Sequence, residues 1–267
     1  MIGKKIAVLG CGNIGTAIVK GLIKAKVKAT NINITRRKKD SLNDLKKTGC
    51  IVTNNQKAVI ESNIIILAVG PSQILELLNE ISPHLEKKHL IISIVAGISI
   101  SKIQTRVNHQ IPIIRAMPNT AASLGESMTC LASKNKFSKE LQVAKNLFDK
   151  IGSTLIIDET KMSSATALCA CGIAFFLRAI RASSQGGIEI GFHSDEAFTI
   201  ASQTARGAAT LLLDDSTHPE QEIDKVTTPM GATISGLNEM EHQGFSSAMI
   251  KGITVSTNKI TKLFEEN

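Results

Sequence analysis

Three glycines near the amino terminus, Gly10, Gly12 and Gly15, have the spacing with which proteins bind the pyrophosphate of a dinucleotide. They follow the apolar run Ile6–Leu9, which is typical of a buried parallel strand, and a helical pattern begins at Thr16. In this context the first glycine permits a tight turn, the second leaves room for a phosphate, and the third lets the helix approach the strand. An ordinary glycine-rich turn is the alternative, but it requires neither flanking element. We therefore predict a cofactor-binding turn, with helix N–H groups facing the phosphates, that comprises Gly10, Cys11, Gly12, Asn13, Ile14 and Gly15.

The end of the next strand predicts which dinucleotide is bound. Residues 30–35 alternate between polar and apolar, as a strand does. In dinucleotide-binding folds an acidic residue at this point, about 20 residues past the glycines, bonds the ribose 2′-hydroxyl of NAD. Here the strand ends in Thr35, followed by Arg36 and Arg37. Because a guanidinium presents a charged fork to phosphate oxygens, we predict that these three residues bind the 2′-phosphate of NADPH. The alternative is a solvated basic turn.

Strand and helix patterns alternate from the amino terminus until about Glu159, which is typical of a doubly wound α/β sheet with helices on both faces. No strand pattern follows. The helices predicted beyond that point are rich in small residues, which let helix axes approach closely and suit burial against a partner subunit. One of them is predicted to run unbroken over residues 162–183. We therefore predict a Rossmann-type domain over residues 1–158 and an all-helical domain over residues 159–267.

The charge of the chain raises the question of a nucleic-acid partner. Lys and Arg number 31 against 23 Asp and Glu, which gives a formal net charge of +8. However, the sequence contains no Trp and no Tyr, so it lacks the usual aromatic platforms for stacked bases. We therefore expect a solvated basic surface that attracts an anionic cofactor, and no nucleic-acid partner.

Cysteine usage and hydropathy indicate in which cellular compartment the protein is expected. The five cysteines include no Cys-x-x-Cys pair, and the six histidines are scattered. This pattern predicts neither a metal site nor a disulfide framework, and it favours a reducing compartment. No apolar run approaches the ~20 residues of a membrane span. Because Met1-Ile2-Gly3 leads directly into the first strand, we expect no signal peptide, no membrane association and a soluble cytoplasmic protein.

Several segments along the whole chain, taken in order, resemble the pyrroline-5-carboxylate reductase family. The Met-Pro-Asn-Thr segment at 117–120 and the Thr-Pro-x-Gly-x-Thr loop at 228–233 are specific, since neither belongs to dehydrogenases in general. The segments that carry the resemblance are 10–15, 66–69, 93–99, 115–120, 125–129, 201–204 and 227–233.

The resemblance implies an activity and an assembly. The chain would reduce 1-pyrroline-5-carboxylate to L-proline, with hydride passing from NADPH to the C=N bond. In the family, the cofactor of one protomer faces the helical domain of another, so a homodimer or higher homo-oligomer is expected. Further cofactor contacts are implied at Asn55, Ala68, Val69, Met117 and Asn119.

The resemblance also places the substrate. The Thr233 hydroxyl would act as the catalytic group that hydrogen-bonds the imine nitrogen, while Thr228 and N–H groups near Gly231, Ala232 and Thr233 would hold the substrate carboxylate. Hydride transfer needs orientation and a polarised iminium more than a strong base. A turn of small residues brings N–H donors close to an anion, although the same composition suits a plain helix-linking turn. The next helix is predicted to start at Ile234.

Three departures from the family pattern leave other functions open. Cys169-Ala170-Cys171 stands where hydroxyls and glycines are usual, Met230 replaces a glycine, and Gly70 replaces a common lysine. Thiols are poorer hydrogen-bond donors than hydroxyls. The alternatives are a related NADPH-dependent imine or ketone reductase with a different substrate, and a non-catalytic NADP-binding protein.

Overall fold

The computed structural model describes residues 4–107, 110–136, 138–215 and 217–266. The segment Met1-Ile2-Gly3, on which the signal-peptide expectation depends, lies outside them. The chain divides into two compact units, Met1–Cys171 with Ser256–Asn267, and Gly172–Val255. The boundary predicted between residues 158 and 159 differs from this division and stays a prediction about domains.

The first unit is built on one sheet with the strand order β3-β2-β1-β4-β5-β6-β7-β8. Every neighbouring pair is parallel except β6 and β7, which are antiparallel. This topology confirms the predicted α/β class. In the described part of the chain the strands are β1 Ile6–Leu9, β2 Ile32–Thr35, β3 Ile51–Val52, β4 Ile64–Leu67, β5 Leu90–Ser93, β6 Ile113–Met117, β7 Ser127–Ala132 and β8 Gly152–Ile156.

Helices cover both faces of this sheet. Because successive strand residues point to opposite faces, Ile6 and Val8 of β1 pack in one apolar cluster while Ala7 and Leu9 pack in another. Burial on both faces explains why the central strands are continuous apolar runs. The helices of the first unit are α1 Asn13–Lys24, α2 Asn43–Lys47, α3 Asn55–Ile60, α4 Ile74–Ile81, α5 Ile100–Gln104, α6 Lys139–Phe148 and α7 Met162–Ala165.

The helix predicted to run unbroken over residues 162–183 is interrupted. After α7 the chain forms a π-helical segment, Thr166–Cys171, before α8 begins at Gly172. The Thr166 hydroxyl donates to the Met162 carbonyl at 2.7 Å, inside this change of helix type. A π segment is an insertion into an α-helix, and apolar spacing over one turn does not distinguish the two.

The second unit has almost no interior of its own. Its helices are α8 Gly172–Glu189, α9 Ser194–Asp215, α10 Pro219–Lys225, α11 Ala232–His242 and the first half of α12 Phe245–Glu266. Where α8 and α9 meet, a Cβ on Gly187 would lie 2.9 Å from Ala197 Cβ. Among the residues described between 172 and 255, only Gly172, Ser184 and Ala197 are buried. The described residues of these helices therefore form no core within one chain.

One stretch of helix has the length and composition of a membrane span. It covers Glu159–Glu189 and contains an 18-residue window of mean hydropathy 1.6, of which 17% is buried. The sequence prediction that no segment approaches a span therefore does not hold here. A helix that buries an apolar face against another subunit has the same composition, so composition alone does not distinguish the two.

The packing of α1 generates a stability prediction. A Cβ on Gly21 would overlap the carbonyl oxygen of Ala122 and lie 2.9 Å from Ile151 Cγ2. Gly-to-Ala in a helix interior normally stabilises by about 1 kcal/mol. Here we expect Gly21→Ala to destabilise by about 1–3 kcal/mol, because the backbone must move.

Urea denaturation at fixed protein concentration measures this change. Lys20→Ala, at an exposed position of the same helix, is the matched control and should stay within about 0.5 kcal/mol of the parent. A Gly21→Ala protein more stable than the parent would show that α1 is not packed as described.

Candidate cofactor and substrate sites

The glycine turn has the geometry that the sequence predicted. Gly10 has φ +88°, a conformation that favours glycine, and a Cβ there would lie 2.5 Å from Val69 Cγ1 and 2.9 Å from the Ala68 carbonyl. At Gly15 a Cβ would lie 3.2 Å from the Gly10 carbonyl, so the helix approaches the strand closely. At Gly12 the nearest atom to a Cβ would be 3.9 Å away. The middle glycine therefore has the open face that a phosphate group requires.

The start of α1 completes this cradle. Gly12 is the residue that precedes the helix, and no side chain caps it. The first N–H groups of a helix have no partner within the helix, and they favour an anion. Among the turn residues, Cys11 contributes only its backbone to such a site, because its thiol is buried and burial raises its pKa to about 12.

Thr35 joins the end of β2 to the glycine turn. Its carbonyl accepts the N–H groups of Gly10 at 3.1 Å and Cys11 at 2.8 Å. Its hydroxyl also accepts from Gly10 N at 3.3 Å and donates to Asn55 Oδ1 at 2.6 Å. The Asn55 amide in turn donates to Glu80 at 2.8 Å. Thr35 is buried with its hydroxyl engaged, so in this structure it positions the turn rather than presenting a free group.

A cavity of about 600 Å³ lies between the glycine turn and the end of β2. Arg36 and Arg37 are exposed along it. Arg37 Nη2 lies 3.1 Å from Glu76 Oε2, and both side chains are more than 70% exposed, at 72% and 78%. An ion pair this exposed contributes little and can exchange its partner. The cavity is lined by Gly10, Gly12, Thr35, Arg36, Arg37, Lys38, Thr53, Asn54, Asn55, Ala68, Val69, Gly70, Gln73, Glu76, Leu77 and Glu80.

The residues present fit an NADP cofactor. An open glycine, a helix start without a side-chain cap and two exposed guanidinium groups border one cavity. The cavity brings together most of the predicted cofactor residues. Asn13, Ile14 and Gly15 belong to the adjoining start of α1 but do not line the cavity.

Met117 and Asn119 lie elsewhere, at and after the end of β6, and do not line this cavity. Both are buried. The Asn119 amide donates to the Cys169 carbonyl at 3.1 Å, and its side-chain oxygen accepts from Ala121 N at 3.0 Å. Their assignment to the cofactor stays a prediction.

The predicted substrate residues come together in one turn of the second unit. Gly231 N donates to the Thr228 carbonyl at 2.9 Å, and a Cβ on Gly231 would lie 2.5 Å from Thr228 Oγ1. Met230, between them, has φ +60° and is fully exposed. The helix α11 begins at Ala232 rather than at Ile234, because the extended backbone of Gly231 already ends the turn.

This earlier helix start changes the setting of Thr233. The residue lies in the first turn of α11 and is exposed, as is Thr228. Gly231 has no side chain to cap the helix, so the first N–H groups of α11 remain available to an anion. The turn therefore combines two exposed hydroxyls with backbone donors.

Two acidic residues of the cavity were missed by the sequence analysis. Glu76 and Glu80 are four residues apart on α4 and therefore share a helix face. That spacing was a readable signal, but nothing in the sequence indicated that this face borders the glycine turn. Their charges oppose an anionic ligand and act through Arg37 and Asn55.

Comparison with known proteins identifies the family. Residues 159–263 match the family described as pyrroline-5-carboxylate reductase dimerisation. Residues 5–97 match the family described as NADP oxidoreductase, coenzyme F420-dependent.

Similar proteins cover nearly the whole chain. Pyrroline-5-carboxylate reductase 1 of Dictyostelium discoideum is 50% identical over 98% of this chain, which spans 50% of that protein's length. Pyrroline-5-carboxylate reductase 2 of the same organism is 45% identical over 97% of this chain and 93% of its own. The crystal structure of Plasmodium falciparum pyrroline carboxylate reductase with NADP bound is 26% identical, with a TM-score of 0.90 and coverage of 99% of each chain. The chain therefore belongs to the pyrroline-5-carboxylate reductase family of NADP-dependent oxidoreductases that act on a C=N bond, as the resemblance predicted.

Proposed function

We propose that this chain reduces 1-pyrroline-5-carboxylate to L-proline with NADPH as the hydride donor, the last step of proline biosynthesis. The observation that carries the proposal is the pairing of two features in one chain. One is a dinucleotide cavity with two arginines at the end of β2. The other is the Thr228–Thr233 turn, where hydroxyls and helix N–H groups suit a small anion with a ring nitrogen. Family membership supports the same substrate.

In the proposed cofactor site, different residues bind the pyrophosphate and the 2′-phosphate of NADPH. Gly12 and the first N–H groups of α1 hold the pyrophosphate, and Arg36 with Arg37 holds the 2′-phosphate. Thr35 keeps these two places at a fixed separation through its bonds to the glycine turn. When bound, NADPH supplies the hydride that the imine carbon accepts.

In the proposed substrate site, two tethers orient the imine. The Thr233 hydroxyl donates to the ring nitrogen and polarises the C=N bond. Backbone N–H groups of Gly231, Ala232 and Thr233, with the Thr228 hydroxyl, hold the carboxylate. The chemistry then depends on orientation rather than on a general base.

We also propose a homodimer as the minimum assembly, formed by the helices of the second unit. The three buried residues described between 172 and 255 cannot stabilise five helices alone. Large apolar side chains stand exposed on them in the single chain, including Phe176, Leu177, Phe198 and Leu211. A second copy would cover them, in keeping with the family model that matches this region.

We place the protein in the cytoplasm. All five cysteines are free thiols, and such thiols persist in a reducing compartment.

A different cyclic imine is the second candidate substrate, and Met230 is the observation that favours it. Its side chain is fully exposed beside the proposed carboxylate site, on a backbone that glycine would adopt without strain. Such bulk can change which ring or chain length fits.

Absorbance at 340 nm tests the function. The full chain should oxidise NADPH when racemic 1-pyrroline-5-carboxylate is added and form one proline per NADPH consumed. Turnover only with another ring size would support the second candidate. Tight NADPH binding without turnover on any imine would contradict both and point to a non-catalytic NADP-binding protein.

Thr233 generates the first prediction on activity. Thr233→Ala should lower kcat/KM roughly 30-fold to nearly 1000-fold, the cost of losing one transition-state donor of about 2–4 kcal/mol. Thr233→Ser keeps the hydroxyl and should retain much of the activity. NADPH affinity, measured by fluorescence, should be unchanged in both. Full activity of Thr233→Ala would remove this residue from the chemistry.

A second prediction concerns Arg36, Arg37 and the preference for NADPH over NADH. Replacing Arg36 and Arg37 together by Ala should weaken NADPH binding by roughly 10- to 100-fold while NADH binding changes little, because only NADPH carries the 2′-phosphate. Calorimetric titration of both cofactors makes NADH the internal control. Equal losses for the two would contradict the assignment.

A third prediction concerns the effect of Glu76 on NADPH affinity. Glu76→Gln removes the partner of Arg37 and one negative charge from the cavity. Because exposed ion pairs contribute about 0.2–1 kcal/mol, NADPH should bind up to about fivefold more tightly. NADH should gain less, and weaker NADPH binding would show that Glu76 supports the site instead of competing with it.

A further inference from the structure

Two cysteines that the proposed function does not use lie side by side. Cys130 Sγ and Cys169 Sγ are 3.5 Å apart, although 39 residues separate them in sequence. Cys130 belongs to β7 and is buried, whereas Cys169 belongs to the π-helical segment and is partly exposed. Both are free thiols in this structure.

The contact makes the two thiols chemically unequal. Either thiol can donate in this contact, but once Cys169 is ionised only Cys130 can. The contact therefore lowers the pKa of Cys169 and raises that of Cys130. The thiolate is the form of cysteine that attacks oxidants. Cys169 is thus both the more exposed sulfur and the more readily ionised one, with Cys130 held beside it.

Two other buried cysteines, Cys11 and Cys50, differ from Cys169 in exposure, in contacts and in pKa. Cys11 Sγ contacts the Val8 carbonyl at 3.8 Å, and Cys50 Sγ contacts the Thr48 hydroxyl at 3.7 Å. Burial raises the pKa of both. A thiol in that state does not start an attack on an oxidant, because the attacking species is the thiolate.

To form a disulfide the two sulfurs must come closer together, and the surroundings favour movement of Cys169 rather than Cys130. A disulfide requires an S–S distance of about 2.05 Å, so the sulfurs must approach by roughly 1.5 Å. Cys130 is fixed by pairing with Met117 of β6 and Leu155 of β8. Cys169 lies outside the sheet, in the π-helical segment between α7 and α8, so we expect its side chain to make the approach. Its carbonyl accepts from Asn119, so the segment stays anchored near this strand.

We propose that Cys130 and Cys169 form a peroxide-sensitive thiol pair that closes to a reversible intrachain disulfide. The Cys169 thiolate attacks the terminal oxygen of a hydroperoxide, which breaks the O–O bond and leaves a sulfenic acid. The departing alkoxide or hydroxide takes a proton from water and is released as an alcohol or as water. Once oxidised, Cys169 is no longer a thiolate that holds the Cys130 proton. The Cys130 sulfur then attacks Cys169 Sγ while its proton passes to the departing hydroxyl, which leaves as water. The two sulfurs lose two electrons and the peroxide gains them. A dithiol reductant reverses the change.

Mass spectrometry of the full chain tests this pair without reference to reductase activity. The reduced protein is treated with hydrogen peroxide, alkylated and digested. We expect two of the five thiols to be lost, a peptide that joins Cys130 to Cys169, and migration as a single chain on a non-reducing gel. Dithiothreitol should restore five alkylated thiols.

Variants separate this pair from general oxidation. Cys171→Ala, in the same helical segment, is the matched control and should still form the cross-link. Cys130→Ala and Cys169→Ala should abolish it. If a variant misfolds, the peptide map of the wild-type protein still shows whether Cys130 and Cys169 are cross-linked. Five alkylated thiols after peroxide, a cross-link to Cys171 or to a second chain, or irreversible oxidation of Cys169 without a cross-link would each overturn the proposal.

Discussion

The carbonyl of Thr35 is the constraint on which the cofactor site depends. It accepts two N–H groups from the glycine turn, so the end of β2 is bonded directly to the turn after β1. A parallel sheet aligns these two ends, and the hydrogen bonds fix their separation. The open face of Gly12 and the guanidinium groups beyond Thr35 then border the same cavity. NADP carries its 2′-phosphate and its 5′-pyrophosphate on one ribose, so a single molecule can contact both places.

Within a single chain, the two units differ in how much apolar surface they bury. The sheet of the first unit is covered by apolar residues on both faces and has its own core. The helices between 172 and 255 bury only three of their described residues and expose large apolar side chains. The proposed substrate turn belongs to these helices. The proposed assembly with a second copy would therefore stabilise the helices that carry the proposed substrate turn.

Local patterns predicted the features that depend on neighbouring residues. The glycine spacing gave the turn because Gly10 needs a positive φ, and the arginines gave the cofactor because no acid follows Thr35. Features made by distant residues could not be predicted in this way. Glu76 reaches Arg37 only through the packing of α4, and Cys130 reaches Cys169 across 39 residues. The π-helical segment and the start of α11 at Ala232 were missed because one turn of helix carries too little periodicity.

In the proposed cofactor site, the glycine turn and the end of β2 together recognise a 2′-phosphate. Calorimetric titration of the full chain with adenosine 2′,5′-bisphosphate and with adenosine 5′-monophosphate tests it most directly, since the two ligands differ only in that group. The bisphosphate should bind roughly 10- to 100-fold more tightly, from charge-assisted hydrogen bonds, and its advantage should shrink as salt screens the exposed arginines. Equal affinity for the two ligands would show that the end of β2 does not recognise the 2′-phosphate.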